Sequence, residues 1–261
     1  MIFIFSLFFN IFIFIILWCW QLKSRNASYV DVLWAFSLSI QALIYFVYHF
    51  NSSYDINQIL PLLLVLFWSL RLSIYLFKRL YQQAEDRRYQ KLRLDWQNKQ
   101  QLNFFLLYQV NAIVSFLMAL PFYLIFSKTS HNELALNQIL IYAGFVLGFI
   151  SIMMEKVADK QLANFIKHKT SMHQVFKGGL WKYSRHPNYF FEFLHWFSYG
   201  IMCLNFDYRI LGFISAAIIY VFLTKVTGIP YNDLKTKQNN PQYLQYAQET
   251  NTFFPWFPRK L

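Results

Sequence analysis

The sequence predicts an all-α integral membrane protein with about seven transmembrane helices. Of its 261 residues, 57% are hydrophobic and only 14% are charged, whereas soluble domains carry roughly 25% charged residues. Long apolar segments recur along the chain, most of them close to the roughly 20 residues that a helix needs to cross about 30 Å of hydrocarbon. The segments are unbroken and show no alternation of apolar and polar residues. Helices are therefore expected, because backbone groups in lipid must be satisfied internally.

Seven apolar segments define the predicted spans. They cover residues 2–20, 30–50, 59–77, 102–126, 136–154, 189–206 and 210–223, and the last two are the shortest. The first segment has no positive charge ahead of it and no small-residue cleavage site after it, and Lys23 and Arg25 follow it. This pattern predicts a retained first span and not a signal peptide.

The positive charges predict the orientation. Twenty-one of the 24 Lys and Arg residues lie in the connections 21–29, 78–101, 155–188 and 224–261, all on one side of a seven-span bundle. By the positive-inside rule this side is cytosolic, with the N-terminus outside and the C-terminus in the cytosol. A basic face against an anionic leaflet explains the net charge of +12 without a nucleic-acid partner. The expected location is a bacterial inner membrane or an endoplasmic-reticulum-type membrane.

One polar run interrupts the apolar chain: GLWKYSRHPNYFFEF, residues 179–193. Pro187 suits the first turn of a helix, where its missing N–H is not needed. From there Asn188, Glu192 and His195 share one helical face, because they follow one another at intervals of four and three residues. Glu192 at membrane depth is costly unless it faces protein or a wet cavity.

The residues just ahead of this helix indicate an anion site. Arg185 and His186 precede Pro187, and a helix N-terminus beside an Arg is suited to binding phosphate. An interfacial belt of snorkelling side chains is the alternative. That alternative accounts for Arg185 and Tyr189 but leaves Asn188 and Glu192 unexplained.

Two further polar stretches flank this run. In EKVADKQ, residues 155–161, Glu155 and Asp159 share a helical face, although a solvated helix end is an equal interpretation of Asp159. Near the C-terminus, Tyr243 and Tyr246 lie three residues apart on a short helix that Pro241 is predicted to open, followed by the aromatic run 253–257. The two cysteines and the histidines have no metal-ligand spacing, so no metal site is predicted.

These motifs resemble the signature of the steroid 5-alpha-reductase C-terminal superfamily, and the whole chain past the first span resembles its uncharacterised bacterial and protist membrane-protein branch. The matching motifs are V-D-x-x-W at 30–34, W-x-x-R-L at 68–72, E-D-x-R-Y at 85–89, A-D-x-Q at 158–161, G-L-W-x-Y-S-R-H-P-N-Y-x-x-E at 179–192 and Y-x-x-Y-x-x-x-T-x-x-F-x-P-W at 243–256.

The resemblance implies a membrane reductase with NADPH held in a pocket of the C-terminal half. Residues 127–261 would form the cofactor side and residues 1–126 the substrate side of one integrated domain. The implied cofactor-binding residues are Asp159, Gln161, Arg185, His186, Asn188, Tyr189, Glu192, Trp196, Lys225, Tyr243 and Tyr246. Two positions depart from the pattern: Glu155 replaces an Asn, and Phe191 replaces a Gly.

The implied reaction is reduction of a C=C bond in a lipophilic substrate of sterol-like, isoprenoid or fatty type, entering from the bilayer. Such a reduction also needs an acid near the substrate. Asp31 and Tyr108 are candidates for this acid, although a structural role is the favoured interpretation of each. Asp31, for example, could cap the second helix.

Two other functions stay open. A methyltransferase of the isoprenylcysteine carboxyl or phospholipid type shares R-H-P-x-Y and uses S-adenosylmethionine. Such enzymes carry adjacent acids after the last span, where this chain has Asp233 alone. An inactive membrane scaffold is the third possibility, and Phe191 supports it. Binding of NADPH, of S-adenosylmethionine or of neither distinguishes the three. The sequence predicts no oligomeric state.

Overall fold

The computed structural model describes residues 1–50, 55–127, 134–171, 174–230 and 240–259, and these residues form helices, turns and loops without a β-strand. The helices are α1 (Ile2–Ser24), α2 (Tyr29–His49), α3 (Ile56–Leu80), α4 (Arg87–Trp96), α5 (Gln100–Met118), α6 (Leu120–Phe126), α7 (Leu134–His168), α8 (Pro187–Met202), α9 (Ile214–Val221) and α10 (Pro241–Glu249). A 3-10 turn (Arg209–Phe213) precedes α9, and a π-helical turn (Phe222–Val226) follows it.

Six helical stretches within the described residues are long and apolar enough to cross a membrane. They are Ile2–Ser24, Tyr29–His49, Ile56–Leu80, Arg87–Phe126, Ala135–His168 and Arg209–Val226. The helical class is confirmed for the described residues, and six such helices, against the seven predicted spans, fit a multi-pass membrane protein. The predicted span 189–206 differs, because α8 has only 16 residues. At 1.5 Å per residue it is about 24 Å long, less than the roughly 30 Å thickness of the hydrocarbon core.

Two other predicted spans have different boundaries in the structure. The segment 102–126 is broken at Ala119 into α5 and α6, just before Pro121, which has no N–H to continue the helical hydrogen bonding. The segment 136–154 belongs to α7, a single helix of 35 residues. Glu155, Asp159 and Gln161 therefore continue the same helix beyond the predicted span.

Helices α7 and α8 run antiparallel and pack closely along small residues. A Cβ atom at Gly148 would lie 2.6 Å from Ser198 Oγ and 2.7 Å from Leu64 Cδ2, and one at Gly144 would lie 2.5 Å from Met202 Cγ. Small residues at such contacts let helix backbones approach closely in membranes. The main core continues from this contact into α2, α3 and α6, so it unites both predicted halves.

A second core lies between α1, α4 and α5 and includes Phe14, Tyr89, Phe104 and Tyr108. Hydrogen bonds link the loop before α4, next to this core, to the turn between α1 and α2. Glu85 Oε1 accepts a hydrogen bond from Ala27 N at 2.7 Å, and Asp86 N donates one to Ser28 Oγ at 2.8 Å. The cap of α4 is thereby anchored to the start of α2.

Candidate functional site

The centre of the polar cluster is the carboxyl group of Glu192 on α8. Its Oε2 accepts a hydrogen bond from Trp68 Nε1 at 3.0 Å, and its Oε1 accepts one from Trp196 Nε1 at 2.9 Å. Both indoles are fully buried, whereas Glu192 is half-buried. Pro187 begins α8, and the interval of four residues between Glu192 and Trp196 puts both on one face.

An ion pair joins this cluster to α3 and α7. Arg71 Nη2 lies 2.7 Å from Glu155 Oε2. Glu155 lies one turn before Asp159 on α7, and Glu192 lies one turn after Asn188 on α8. Because Asn188 contacts Asp159 across these antiparallel helices, the Glu155 and Glu192 side chains lie at the same level of the helix pair. Arg71 follows Trp68 by three residues on α3, so the same face of that helix supplies a donor to each of the two carboxyl groups. Three helices therefore meet at one group of charged and indole side chains.

A second polar contact lies one helical turn further along α7. Asn188 Nδ2 donates to Asp159 Oδ1 at 3.0 Å, at the first turn of α8. Asp159 lies about 6 Å beyond Glu155 along the axis of α7. The structure thus brings together four residues of the predicted cofactor set, Asp159, Asn188, Glu192 and Trp196.

A layer of aromatic rings lines the deeper side of this cluster. The Trp34 and Trp68 rings meet edge to face with centroids 6.1 Å apart, and His195 stacks on Trp68 at 5.6 Å with an interplanar angle of 16°. His195 is fully buried. It lies on the same face of α8 as Asn188 and Glu192, as the sequence predicts.

A cavity of about 740 Å³ opens beside the cluster, at the ends of α2, α3 and α8 that carry the predicted cytosolic charges. Its walls combine ionic and apolar side chains from both halves of the chain. The lining residues are Asp31, Trp34, Leu72, Leu76, Arg79, Glu85, Asp86, Arg87, Arg88, Tyr189, Leu223, Thr227 and Gly228. Trp34 and Tyr189 connect this cavity to the layer around Trp68 and to the first turn of α8.

The acidic groups of this cavity are engaged in ion pairs. Asp31 Oδ2 lies 2.8 Å from Arg88 Nη2, and Asp31 Oδ1 accepts a hydrogen bond from Tyr89 Oη at 2.6 Å. Asp86 pairs with Arg79 at 3.2 Å. Burial tends to raise the pKa of Asp86, but hydrogen bonds from the backbone and side chain of Arg88, together with the nearby positive charges, hold that pKa below its usual value.

The two candidate acids are placed differently. Asp31 lies in the wall of the cavity, where its two oxygens accept hydrogen bonds from Arg88 and Tyr89. Tyr108 is fully buried in the second core, where its hydroxyl donates to the Ala27 carbonyl at 3.2 Å. Tyr108 therefore belongs to a different cluster from Glu192 and has a packing role there.

The C-terminal segment covers the loop before α8. The backbone N–H of Arg185 donates to the Asn251 carbonyl at 2.8 Å. The guanidinium of Arg185 donates to Thr252 Oγ1 and lies over the Tyr243 ring, 5.9 Å from its centroid. Arg185 is 6% exposed and is not part of the 740 Å³ cavity wall. Arg185 therefore lies between the loop before α8 and the C-terminal segment.

The other predicted residues of this region have mainly positioning contacts. Tyr246 Oη donates to the carbonyls of Trp181 and Ser184. The His186 and Tyr189 rings stack at 5.3 Å, at the edge of the cavity. Gln161 Oε1 accepts from Leu180 N at 3.0 Å.

Gln161 also packs against Gly179, where φ is 56° and a Cβ would lie 2.5 Å from its Oε1. This combination of positive φ and close contact explains the glycine at the start of the polar run. Lys225 is exposed on the π-helical turn, next to the segment that lines the cavity.

Comparison with known families now gives the chain a family. A family model described as "Protein of unknown function (DUF1295)" matches residues 17–250. The chain belongs to the DUF1295 family. No curated protein and no solved structure matches it. The matched range contains every residue of the cluster around Glu192.

Three residues of the cluster around Glu192 were not predicted from the sequence to belong to it: Trp68, Arg71 and Glu155. In the sequence, Trp68 and Arg71 are only motif positions, and Glu155 shares a helical face with Asp159 and stands where the resemblance implies an Asn. The available signal was a lone Arg inside an apolar span, three residues after a Trp, because an intramembrane charge requires a partner. The sequence does not identify that partner, since Glu155 is 84 residues away.

Proposed function

We propose that this DUF1295 protein is a membrane-embedded reductase that uses NADPH to reduce a C=C bond of a lipophilic substrate. One observation carries the proposal: Asp159, Asn188, Glu192 and Trp196 come together where α7 meets α8. These are the residues that, by resemblance to the steroid reductases, face the cofactor. The neighbouring residues Tyr189, next to Asn188, and Trp34, against Trp68, line a cavity of about 740 Å³ at the end of the bundle.

The residues around the cavity suit a dinucleotide. Its volume is within the usual range of about 300–1,000 Å³ for small-molecule sites. Leu72, Leu76 and Leu223 offer apolar walls, and Arg87 is exposed at the rim, where a phosphate could meet it. Glu192, held by two indoles, presents a fixed carboxylate that can accept hydrogen bonds from a carboxamide or a ribose hydroxyl.

The nicotinamide would supply the hydride, while this chain binds, orients and excludes water. The bundle provides a dry environment on the deeper side, where Trp34, Trp68 and His195 stack. A lipophilic substrate of sterol-like, isoprenoid or fatty type would enter from the bilayer. The resemblance assigns the cofactor to residues 127–261 and the substrate to residues 1–126, but nine of the thirteen residues that line the cavity belong to 1–126. We therefore place the cofactor between the two halves.

The test is nucleotide binding by the purified protein, measured as the shift of the melting temperature with NADPH, NADH or S-adenosylmethionine. NADPH is expected to raise the melting temperature more than NADH does. A 2′-phosphate held by one Arg or Lys is worth about 1.5–3 kcal/mol, which is about ten- to a hundredfold in affinity. Equal shifts for NADPH and NADH would remove the 2′-phosphate argument.

The Glu192→Gln variant makes the test specific. It is expected to fold but to lose most of the NADPH-induced shift, because an amide is a weaker acceptor than a carboxylate and presents an NH₂ towards a donor. Glu249→Gln is the matched control, since Glu249 pairs with Lys177 outside the site. A full NADPH-induced shift in Glu192→Gln would contradict the assignment.

The same assay addresses the other two functions. A shift with S-adenosylmethionine alone would support the methyltransferase, and no shift with any of the three would support a scaffold. The residue on which the methyltransferase argument depends, Asp233, lies outside the described residues.

A further inference from the structure

The charges of the Glu192 cluster do not balance if every group is ionised. Arg71, Glu155 and Glu192 come from three different helices: Arg71 pairs with Glu155, and the packing of α7 on α8 puts Glu155 beside Glu192, one turn from the Asp159–Asn188 contact. Two carboxylates and one guanidinium leave a net charge of −1. The Arg71 and Glu155 side chains are 24% and 13% exposed, so solvent screens this charge only partly. An unbalanced charge in such a place is expensive.

The hydrogen-bond donors around the two carboxyl groups show where the imbalance lies. Glu192 receives two uncharged indole donors, Trp68 Nε1 and Trp196 Nε1. The guanidinium of Arg71 is directed to Glu155. Two carboxylates that face each other repel, and the usual solution in proteins is one proton held between them.

A hydrogen bond between the two carboxyl groups would require a donor. An ionised carboxylate only accepts hydrogen bonds, whereas a protonated one can donate through its O–H and still accept through its carbonyl oxygen. A protonated Glu155 can therefore accept from Arg71 and donate to Glu192 at the same time. An Asn side chain, which the motif pattern leads one to expect at position 155, offers the same pair of functions.

We propose that Glu155 and Glu192 share one proton at neutral pH and that Arg71 balances the remaining charge. The three groups then form a neutral, proton-holding site at the junction of α3, α7 and α8. The proton belongs to the pair and not to either residue alone.

Other ionisable groups face this pair from the helices around it. Asp159 lies one turn along α7 and accepts from Asn188, and it is exposed. On α8, His195 and Tyr199 are fully buried on the deeper side. On α2, Trp34 contributes an uncharged ring against Trp68. None of these described neighbours supplies a second positive charge comparable to that of Arg71.

The shared proton deepens the proposed function, on which this part of the inference rests. Reduction of a C=C bond adds a hydride to one carbon and a proton to the other, so that the nicotinamide is oxidised and the substrate is reduced. The Glu155–Glu192 pair would store the proton that this reaction consumes. Loss of the proton would leave two carboxylates, and the pair would regain one proton from solvent that enters through the nearby cavity.

Infrared difference spectroscopy of the purified, nucleotide-free protein in H₂O and D₂O at neutral pH tests the proposal directly. A protonated carboxyl group has a carbonyl stretch separate from the bands of carboxylates, and this stretch shifts on deuteration. We expect one such band in the wild-type protein and its loss in Glu155→Gln and in Glu192→Gln. The matched control Glu249→Gln, which lies outside the site, should retain it.

Two results would overturn the proposal: no protonated-carboxyl band in the wild-type protein, or a band that persists in both Gln variants. The absence of the band in the wild-type protein would show that both carboxyl groups are ionised and that the cluster has a structural role. The wild-type measurement does not depend on whether a variant folds. The infrared measurement uses nucleotide-free protein, so it is independent of the nucleotide-binding test. A protonated-carboxyl band in a protein that does not bind NADPH would reject only the reductase. NADPH binding by a protein without this band would reject only the shared proton.

Discussion

Removing the Arg71 guanidinium is expected to destabilise the protein far more than removing a surface Lys. In Arg71→Met the apolar stem is kept, and the partner at 2.7 Å, Glu155, loses its counter-ion. Removing one member of a buried ion pair costs about 3–5 kcal/mol. Because the Arg71 side chain is 24% exposed, the expected loss is at the lower end, about 3 kcal/mol.

The matched control is Lys177→Met. Lys177 lies 3.0 Å from Glu249, but these side chains are 41% and 23% exposed. Exposed pairs contribute about 0–1 kcal/mol, so this variant should be nearly neutral. The double variant Arg71→Met/Glu155→Gln should recover part of the loss, since it also removes one of the two carboxyl groups that lose their counter-ion.

The measurement is the free energy of unfolding in mixed detergent, followed by circular dichroism for the wild type and the three variants. The expected difference between Arg71→Met and Lys177→Met comes from the burial of Arg71 and not from ion pairing as such. Losses in Arg71→Met and Lys177→Met that agree within about 0.5 kcal/mol would refute it, because that is the scatter between independent sites.

Four further predictions follow from other parts of the structure. Gly148→Leu should prevent α7 from packing on α8, since even a Cβ would lie 2.6 Å from Ser198 Oγ, and size-exclusion chromatography should show loss of the compact monodisperse species. In the folded protein the pKa of Asp86 is lowered, so its ionised form contributes to stability at pH values above its usual pKa of about 3.9. This contribution is lost as the pH falls through the lowered pKa. Asp86→Asn should therefore reduce the loss of stability at acidic pH in a stability–pH profile. Tyr246→Phe leaves the Trp181 and Ser184 carbonyls without that hydroxyl, should cost about 1–3 kcal/mol, and should speed proteolysis of the C-terminal segment. A reporter at the C-terminus should read cytosolic and one in 127–135 external; a cytosolic signal from the latter, of which 128–133 lie outside the described residues, would contradict the predicted orientation.

The helices could be predicted because they depend on apolar segments and on periodicity, which are local properties of the sequence. Uninterrupted apolar segments predicted α1, α2 and α3 to within a few residues, since lipid requires each segment to satisfy its own backbone. The periodicity of α8 predicted that Asn188, Glu192 and His195 share a face. The length of α8 was overestimated, because apolar residues continue past Met202 while the helix ends.

The sequence by itself determined the membrane class, the position of most spans and the face of α8 that carries polar groups. Only the tertiary structure decided which groups meet that face. Trp68 and Glu192 are 124 residues apart, and Arg71 and Glu155 are 84 residues apart. Helical periodicity relates residues within a few turns, whereas the approach of α3 to α7 and α8 depends on small residues such as Gly148 and on the packing of the whole bundle. For the same reason Arg185, which looked free to bind an anion, lies under a tail that folds back from more than sixty residues away.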